Sequence, residues 1–255
     1  MSITILQARI REKKTPLALG LSPSAERIPA PFLRRFTDLY GPGPMAEVEC
    51  LRLWGGNLLE KAADRLPAVV LRAECYLKYG SLGFDVLIHL AHLAREMGFY
   101  TIIDARGDMP GLWLEGAVEA DGATVLPYLG TDCCQAEEGK SVFVLLRTAN
   151  TSAGDLQNMM AGDRRLYLAA ADRLARHGAA LAIESGYSLD IRELRRRQEK
   201  AFLLLMGCDG ENALPAFDDY GHGALVIEGE IQYAEDYAAA IEESVRAWKR
   251  WITVL

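Results

Sequence analysis

The sequence predicts an α/β fold, a single-domain (β/α)8 (TIM) barrel spanning residues 1–255. Three observations predict it. Eight apolar runs of four or five residues recur along the chain, short for helices and suited to strands buried on both faces. Segments with 3.6-residue periodicity separate most of them, and parallel strands need such crossovers. The length matches one closed barrel, and eight repeats favour closure over an open doubly wound sheet.

The runs fall at 17–21, 68–71, 100–103, 123–126, 142–146, 179–183, 202–205 and 224–227. Helices are expected over 83–97, 164–176, 190–200 and 234–251, the last with Ala, Ile, Val and Trp on one stripe and Glu, Arg and Lys on the other. At the N-terminus, Arg9, Arg11, Lys13 and Lys14 break the apolar pattern, so an amphipathic helix is expected there rather than a targeting segment. The Gly/Pro cluster at 41–44 reads as a loop inside the first crossover, not a domain boundary.

Composition narrows the function. A net charge of −7 argues against a nucleic-acid backbone or an anionic membrane as the main partner. No apolar run approaches the roughly 20 residues needed to span a bilayer. The five cysteines, Cys50, Cys75, Cys133, Cys134 and Cys208, are odd in number and lack C-x-x-C spacing. They read as reduced thiols of a cytoplasmic protein.

In a barrel the site lies at the C-terminal ends of the strands. Four of those ends read GLSP (20–23), DARGDMPGL (104–112), TVLPYLGTD (124–132) and FVLLRTANTSAGDLQ (143–157). Here the chain resembles the longer bacterial subgroup of the orotidine 5′-phosphate decarboxylase family. That subgroup reads GLDP, DxKRGDIGxT, TVNPYLGxD and FVLxRTSNxSAxxxQ. Residues 122–157 carry most of the resemblance, and weaker echoes run from 17 to 234. It implies a cofactor-independent carboxy-lyase of UMP synthesis, commonly a homodimer with sites built across the interface. In that chemistry a lysine ammonium stands where the ring carbanion develops and then protonates it, within an array of alternating Lys and Asp. Preorganised charge of this kind is usually the largest catalytic term.

Against that pattern the chain departs at nearly every reacting point. The first-strand aspartate is Ser22. The second-strand lysine falls near Val70-Leu71-Arg72, where only Arg72 offers a cation, displaced in position. The third motif is one residue short: Asp104, Arg106, Gly107 and Asp108 have counterparts, and the lysine is deleted. Arg106 could stand in as a cation, but a guanidinium does not readily give up a proton. The serine that contacts the pyrimidine is Ala149, between Thr148 and Asn150, while Pro127 is retained. The strand-seven loop PGxGAQGG reads MGCDGENA, with Glu211 for its glutamine. The strand-eight motif SSRxIxYA reads IEGEIQYA, so Gly229, between Glu228 and Glu230, replaces the phosphate-binding arginine. A carboxylate 4 Å from a phosphate charge costs on the order of 4 kcal/mol at an effective dielectric of 20.

The candidate catalytic residues are therefore Asp104, Arg106 and Asp108. Candidate substrate contacts are Ser22, Arg72, Pro127, Thr148, Asn150, Glu211, Glu228 and Glu230. No metal or cofactor is expected. His89 and His92, three apart on a helix outside the barrel, read as packing or solvated residues, as do Cys133 and Cys134. The basic run 192–197 reads as an exposed helix face. Three functions stay open. The first is a non-decarboxylating relative, binding a small molecule or nucleotide at the mouth and pairing with itself or an active relative. The second is a decarboxylase rebuilt on Arg72, Asp104, Arg106 and Asp108. The third is a different enzyme that uses an acidic mouth for a cation or amine.

Overall fold

The computed structural model describes residues 2–24, 26–107 and 109–255, so the Asp108 candidate lies outside the described residues. Eight parallel strands close into a barrel: β1 (Leu17–Leu21), β2 (Ala68–Arg72), β3 (Tyr100–Gly107), β4 (Gly122–Val125), β5 (Ser141–Arg147), β6 (Ala180–Glu184), β7 (Leu203–Met206) and β8 (Ala224–Glu228). Each pairs with its sequence neighbours, and β8 returns to β1. All eight expected strands form within a few residues of their predicted bounds; β3 alone runs well past its expected end.

The period-2 alternation of a strand sorts the side chains into two cores. Ala18, Val70, Ile102, Leu145, Ala182, Leu204 and Leu225 fill the barrel interior. Leu19, Leu71, Ile103, Val144, Leu181, Leu205 and Val226 face the surrounding helices. The interior is closed from below by the N-terminal helix Ser2–Lys13, whose Leu6 and Ile10 are fully buried in it. The helix Ser81–Glu96 buries Val86, Leu87, Leu90, Ala91 and Ala94 at i, i+3 and i+4 spacing. The last helix, Tyr237–Trp248, buries Ile241, Val245 and Trp248, and Asp236 caps it by accepting from the Ala239 amide at 3.1 Å. All five cysteines are free. Among the described residues, no helix is long and apolar enough to cross a membrane.

Three expectations need correction. The helix placed at 164–176 begins only at Leu166, because Arg164 and Arg165 pair antiparallel with Ala161 and Met160 in a small hairpin. Gly41–Gly43 is a loop, but Pro44 is already the first residue of the helix Pro44–Ala62, since its fixed φ suits that position. The run 192–197 is not a uniformly solvated face. Arg195 turns inward and donates to the carbonyls of Gln198, Glu199, Ala201, Ala216 and Gly223. Arg197 bonds Glu193 and lies 3.4 Å from Asp172.

Candidate active site at the barrel mouth

Alternation carries the inward face of each strand up to the mouth. In β2 the inward positions 68 and 70 lead to Arg72, in β3 100 and 102 lead to Asp104, and in β6 180 and 182 lead to Glu184. Arg72 and Asp104 stand side by side in the β2–β3 register. With Gly20, Ser22, Arg106, Met206, Gly207, Ile227 and Gly229 these residues line a cavity of about 220 Å³. Gly20 is needed there, because a Cβ would sit 2.8 Å from the Ile227 side chain and 3.2 Å from the Glu228 carbonyl oxygen. Gly207 has φ +87°, a left-handed conformation that glycine adopts without strain.

The geometry centres on Asp104, which is 5% exposed. Thr124, the inward residue of β4, donates to its Oδ1 at 2.8 Å, and Arg106 Nε donates to both oxygens at 3.3 and 3.2 Å. Arg106 shares the inward parity of 102 and 104, which survives the register slip of β3 against β4 between Ile103 and Gly107. Its φ is +49°, uncommon for a residue with a side chain. Its amide donates to Thr124 Oγ1 at 3.0 Å, which helps hold that conformation. Arg106 Nη2 then lies 3.9 Å from Glu184 Oε1, close enough for an ion pair but too far for a hydrogen bond. Arg72 pairs with Glu74 at 2.6 Å, while its buried Nε has no hydrogen-bond partner.

Burial pushes the Glu184 carboxyl above its ordinary value of 4.5, while Arg106 and the Ala149 amide pull it down and Asp104 pushes it up. An acid with a raised folded pKa is neutral in both states at low pH; above its ordinary pKa the unfolded chain ionises first, so stability falls until the folded group ionises too. The stability of Glu184→Gln relative to wild type is therefore expected to improve as pH rises from below 4.5 through the raised pKa. Urea midpoints across that range measure it, and a flat or falling difference would contradict the assignment.

The other candidates are dispersed. Ser22 sits on the rim, where its amide donates to Gln232 Oε1 at 3.1 Å and Gln232 donates to the Gly229 carbonyl at 2.7 Å. Pro127 starts a 3-10 helix and borders a separate cavity of about 70 Å³ with Leu146 and Tyr167. Thr148 is buried in bonds to Gln157 and Asn150. Arg147 meets Asp190 at 2.9 Å and the Tyr187 ring at 4.4 Å, because β5 also shifts register between Leu145 and Arg147 and turns it away from the cavity. Glu211 is exposed in a cleft beside Arg192 and Arg196. Glu228 accepts from the Glu230 amide at 3.0 Å, and Glu230 pairs with Arg27 at 2.7 Å, whose guanidinium covers the Tyr233 ring at 3.6 Å. Burial and then Glu228 push the Cys208 thiol up to about 12, so it is a poor nucleophile at neutral pH. Among the described residues no group of three His, Cys, Asp or Glu side chains could hold a metal ion. His92 hydrogen-bonds to the Ala117 carbonyl outside the barrel.

Sequence reasoning missed Glu184. It directly follows the sixth run with inward parity, a signal that was available. It also missed Thr124 and Gln232, whose roles depend on partners 20 and 210 residues away.

Fold and site define a class: an eight-stranded α/β barrel whose charged pocket lies at the strand C-termini, where such barrels place small-molecule chemistry. No protein-family profile matches the chain. It is 28% identical over 229 aligned positions to orotidine 5′-phosphate decarboxylase of Petrotoga mobilis, covering 79% of this chain and 76% of that protein. It is also 28% identical to the Deinococcus radiodurans enzyme over 282 positions, covering 96% of both. The structure of Leishmania donovani OMP decarboxylase superposes with a TM-score of 0.79 at 25% identity, covering 96% of each chain. Over most of its length the chain is thus a distant relative of the orotidine 5′-phosphate decarboxylases, similar to them in sequence and in fold.

Proposed function

We propose that this relative does not decarboxylate orotidine 5′-phosphate and keeps its mouth as a binding pocket for a small molecule. The observation that carries this reading is the cation set at the cavity. Among the described lining residues the cations are Arg72 and Arg106, both already paired with carboxylates, and there is no lysine. A guanidinium holds its proton at neutral pH, so neither residue can deliver one to a ring carbanion. A reaction this slow without catalysis needs about 20 kcal/mol of barrier reduction, which leaves no room for a missing donor. Phosphate capture is weakened as well: Gly229 stands where the family pattern has arginine, and Arg27, the cation beside that loop, is held by Glu230.

The convergence of Arg72, Asp104 and Arg106 supports the rebuilt array as a second reading, but supplies it with no proton donor. The acidic-mouth reading loses its motive, since Glu211 lies in a different cleft and Glu230 is paired with Arg27. Incubation with orotidine 5′-phosphate, followed by chromatographic detection of UMP, is expected to show no product above the uncatalysed background. Calorimetric titration with UMP is expected to show no binding at micromolar concentration. Enzyme-like turnover would overturn the proposal.

A further inference from the structure

We propose that the mouth cavity binds a small zwitterion, an α-amino acid with a short aliphatic side chain, held between the guanidiniums of Arg72 and Arg106 and the carboxylate of Glu184. The inference rests on the reading of the mouth as a non-decarboxylating pocket and names its ligand class.

Three features of the cavity point to a ligand that carries both charges. First, among the described residues two positive and two negative side chains line it, Arg72 and Arg106 against Asp104 and Glu184, so their charges balance. An anion alone would meet two carboxylates, and a cation alone two guanidiniums. A zwitterion meets an opposite charge at each end.

Second, hydrogen-bonding capacity is left over on both sides. Asp104 is used by Thr124 and Arg106 Nε. Glu184, by contrast, accepts from the Ala149 amide and stands 3.9 Å from Arg106 Nη2, leaving lone pairs for an ammonium to donate to. On the cationic side Arg72 meets Glu74 through Nη2 and is 34% exposed at the cavity wall, so a ligand carboxylate can reach its guanidinium.

Third, the remaining wall is apolar. Val70 and Met206 are 3% and 4% exposed, and Ile227 lies beside them. A volume of about 220 Å³ is below the usual range for drug-sized ligands, which selects a compact side chain. Arg106 lies at φ +49°, where β3 slips register against β4. Residues held in such conformations cluster at ligand-binding sites.

The test is calorimetric titration of the full chain with L-valine, with isovalerate and isobutylamine (valine without its amine or without its carboxylate), and with uracil and UMP. L-valine is expected to bind one per chain, and each half-molecule at least roughly tenfold more weakly. Glu184→Gln and Arg72→Met are each expected to weaken L-valine by roughly tenfold or more, the effect of losing a charged hydrogen bond. Their thermal melts establish that each variant is folded. The proposal is overturned if isovalerate or isobutylamine binds as tightly as L-valine, if uracil or UMP binds and L-valine does not, or if L-valine produces no heat at millimolar concentration. The orotidine 5′-phosphate assay separates the two readings: turnover sinks the non-decarboxylating pocket, whereas no turnover and no valine binding sinks the ligand assignment alone.

Discussion

Replacing Arg195 with methionine is expected to lower the stability of the barrel by about 3 kcal/mol, the upper scale for losing a charged donor that serves several part-buried carbonyls. The guanidinium donates to the carbonyls of Gln198, Glu199, Ala201, Ala216 and Gly223 at 2.5 to 3.3 Å. These carbonyls lie at the end of the helix Ser188–Arg197 and in the loops that lead into β7 and β8. One side chain therefore ties together two strand entries at the bottom of the barrel. Burial lowers the Arg195 pKa, the direction expected when a cation is desolvated, yet the group stays charged at neutral pH. Methionine keeps much of the stem volume but leaves the carbonyls without their donor. The expected fall in melting temperature is roughly 6–12 °C. The neighbouring Arg192, which is exposed, should change stability by less than about 0.5 kcal/mol when replaced in the same way. Urea unfolding at unchanged m-value measures both, and a loss below about 1 kcal/mol for Arg195→Met would refute the clamp.

The second large effect is expected at Asp104, where alanine should cost about 2–4 kcal/mol. Its carboxylate is buried, accepts from Thr124 Oγ1, and neutralises Arg106. Alanine leaves the Arg106 guanidinium partly buried with Glu184 at 3.9 Å and the Thr124 hydroxyl without its acceptor. It also removes a contact that supports Arg106 at positive φ. Asp104→Asn keeps an acceptor for Thr124 while losing the charge, so it should fall between alanine and wild type. If alanine and asparagine prove equal to wild type in chemical unfolding, Asp104 is not the support of the mouth.

These two residues show how a barrel can change its chemistry while keeping its shape. Barrel stability resides in the interior layers and the strand entries, with Arg195 at one end and the plug of Leu6 and Ile10 beside it. The mouth residues above Val70, Ile102 and Ala182 sit on a frame that does not depend on them, apart from the buried Asp104. Substitution at Ser22, Ala149 or Gly229 can therefore proceed with little effect on folding.

The sequence by itself determined the eight strands and their order, because apolar runs of four or five residues separated by helical periods can be buried only as a parallel sheet wrapped by helices. It also determined the ancestry, through TVLPYLGTD and FVLLRTANTSAGDLQ, and it placed Arg72, Asp104 and Arg106 at strand ends. Glu184 was legible by the same parity rule and was overlooked. What only the tertiary structure decided is which of those strand-end residues meet. The slip in β5, two residues (145 to 147) against one (182 to 183), turns Arg147 away from the cavity that its parity would face, whereas the slip in β3, four residues (103 to 107) against two (123 to 125), leaves Arg106 on the inward face. Likewise, the acidic loops at Glu211 and Glu230 lose their joint meaning once one faces a separate cleft and the other is paired with Arg27. Local pattern sets which face of a strand a residue occupies. Which strand-end residues meet is set by contacts between residues distant in the chain, such as Thr124 with Asp104 and Arg147 with Asp190, and no local pattern encodes them.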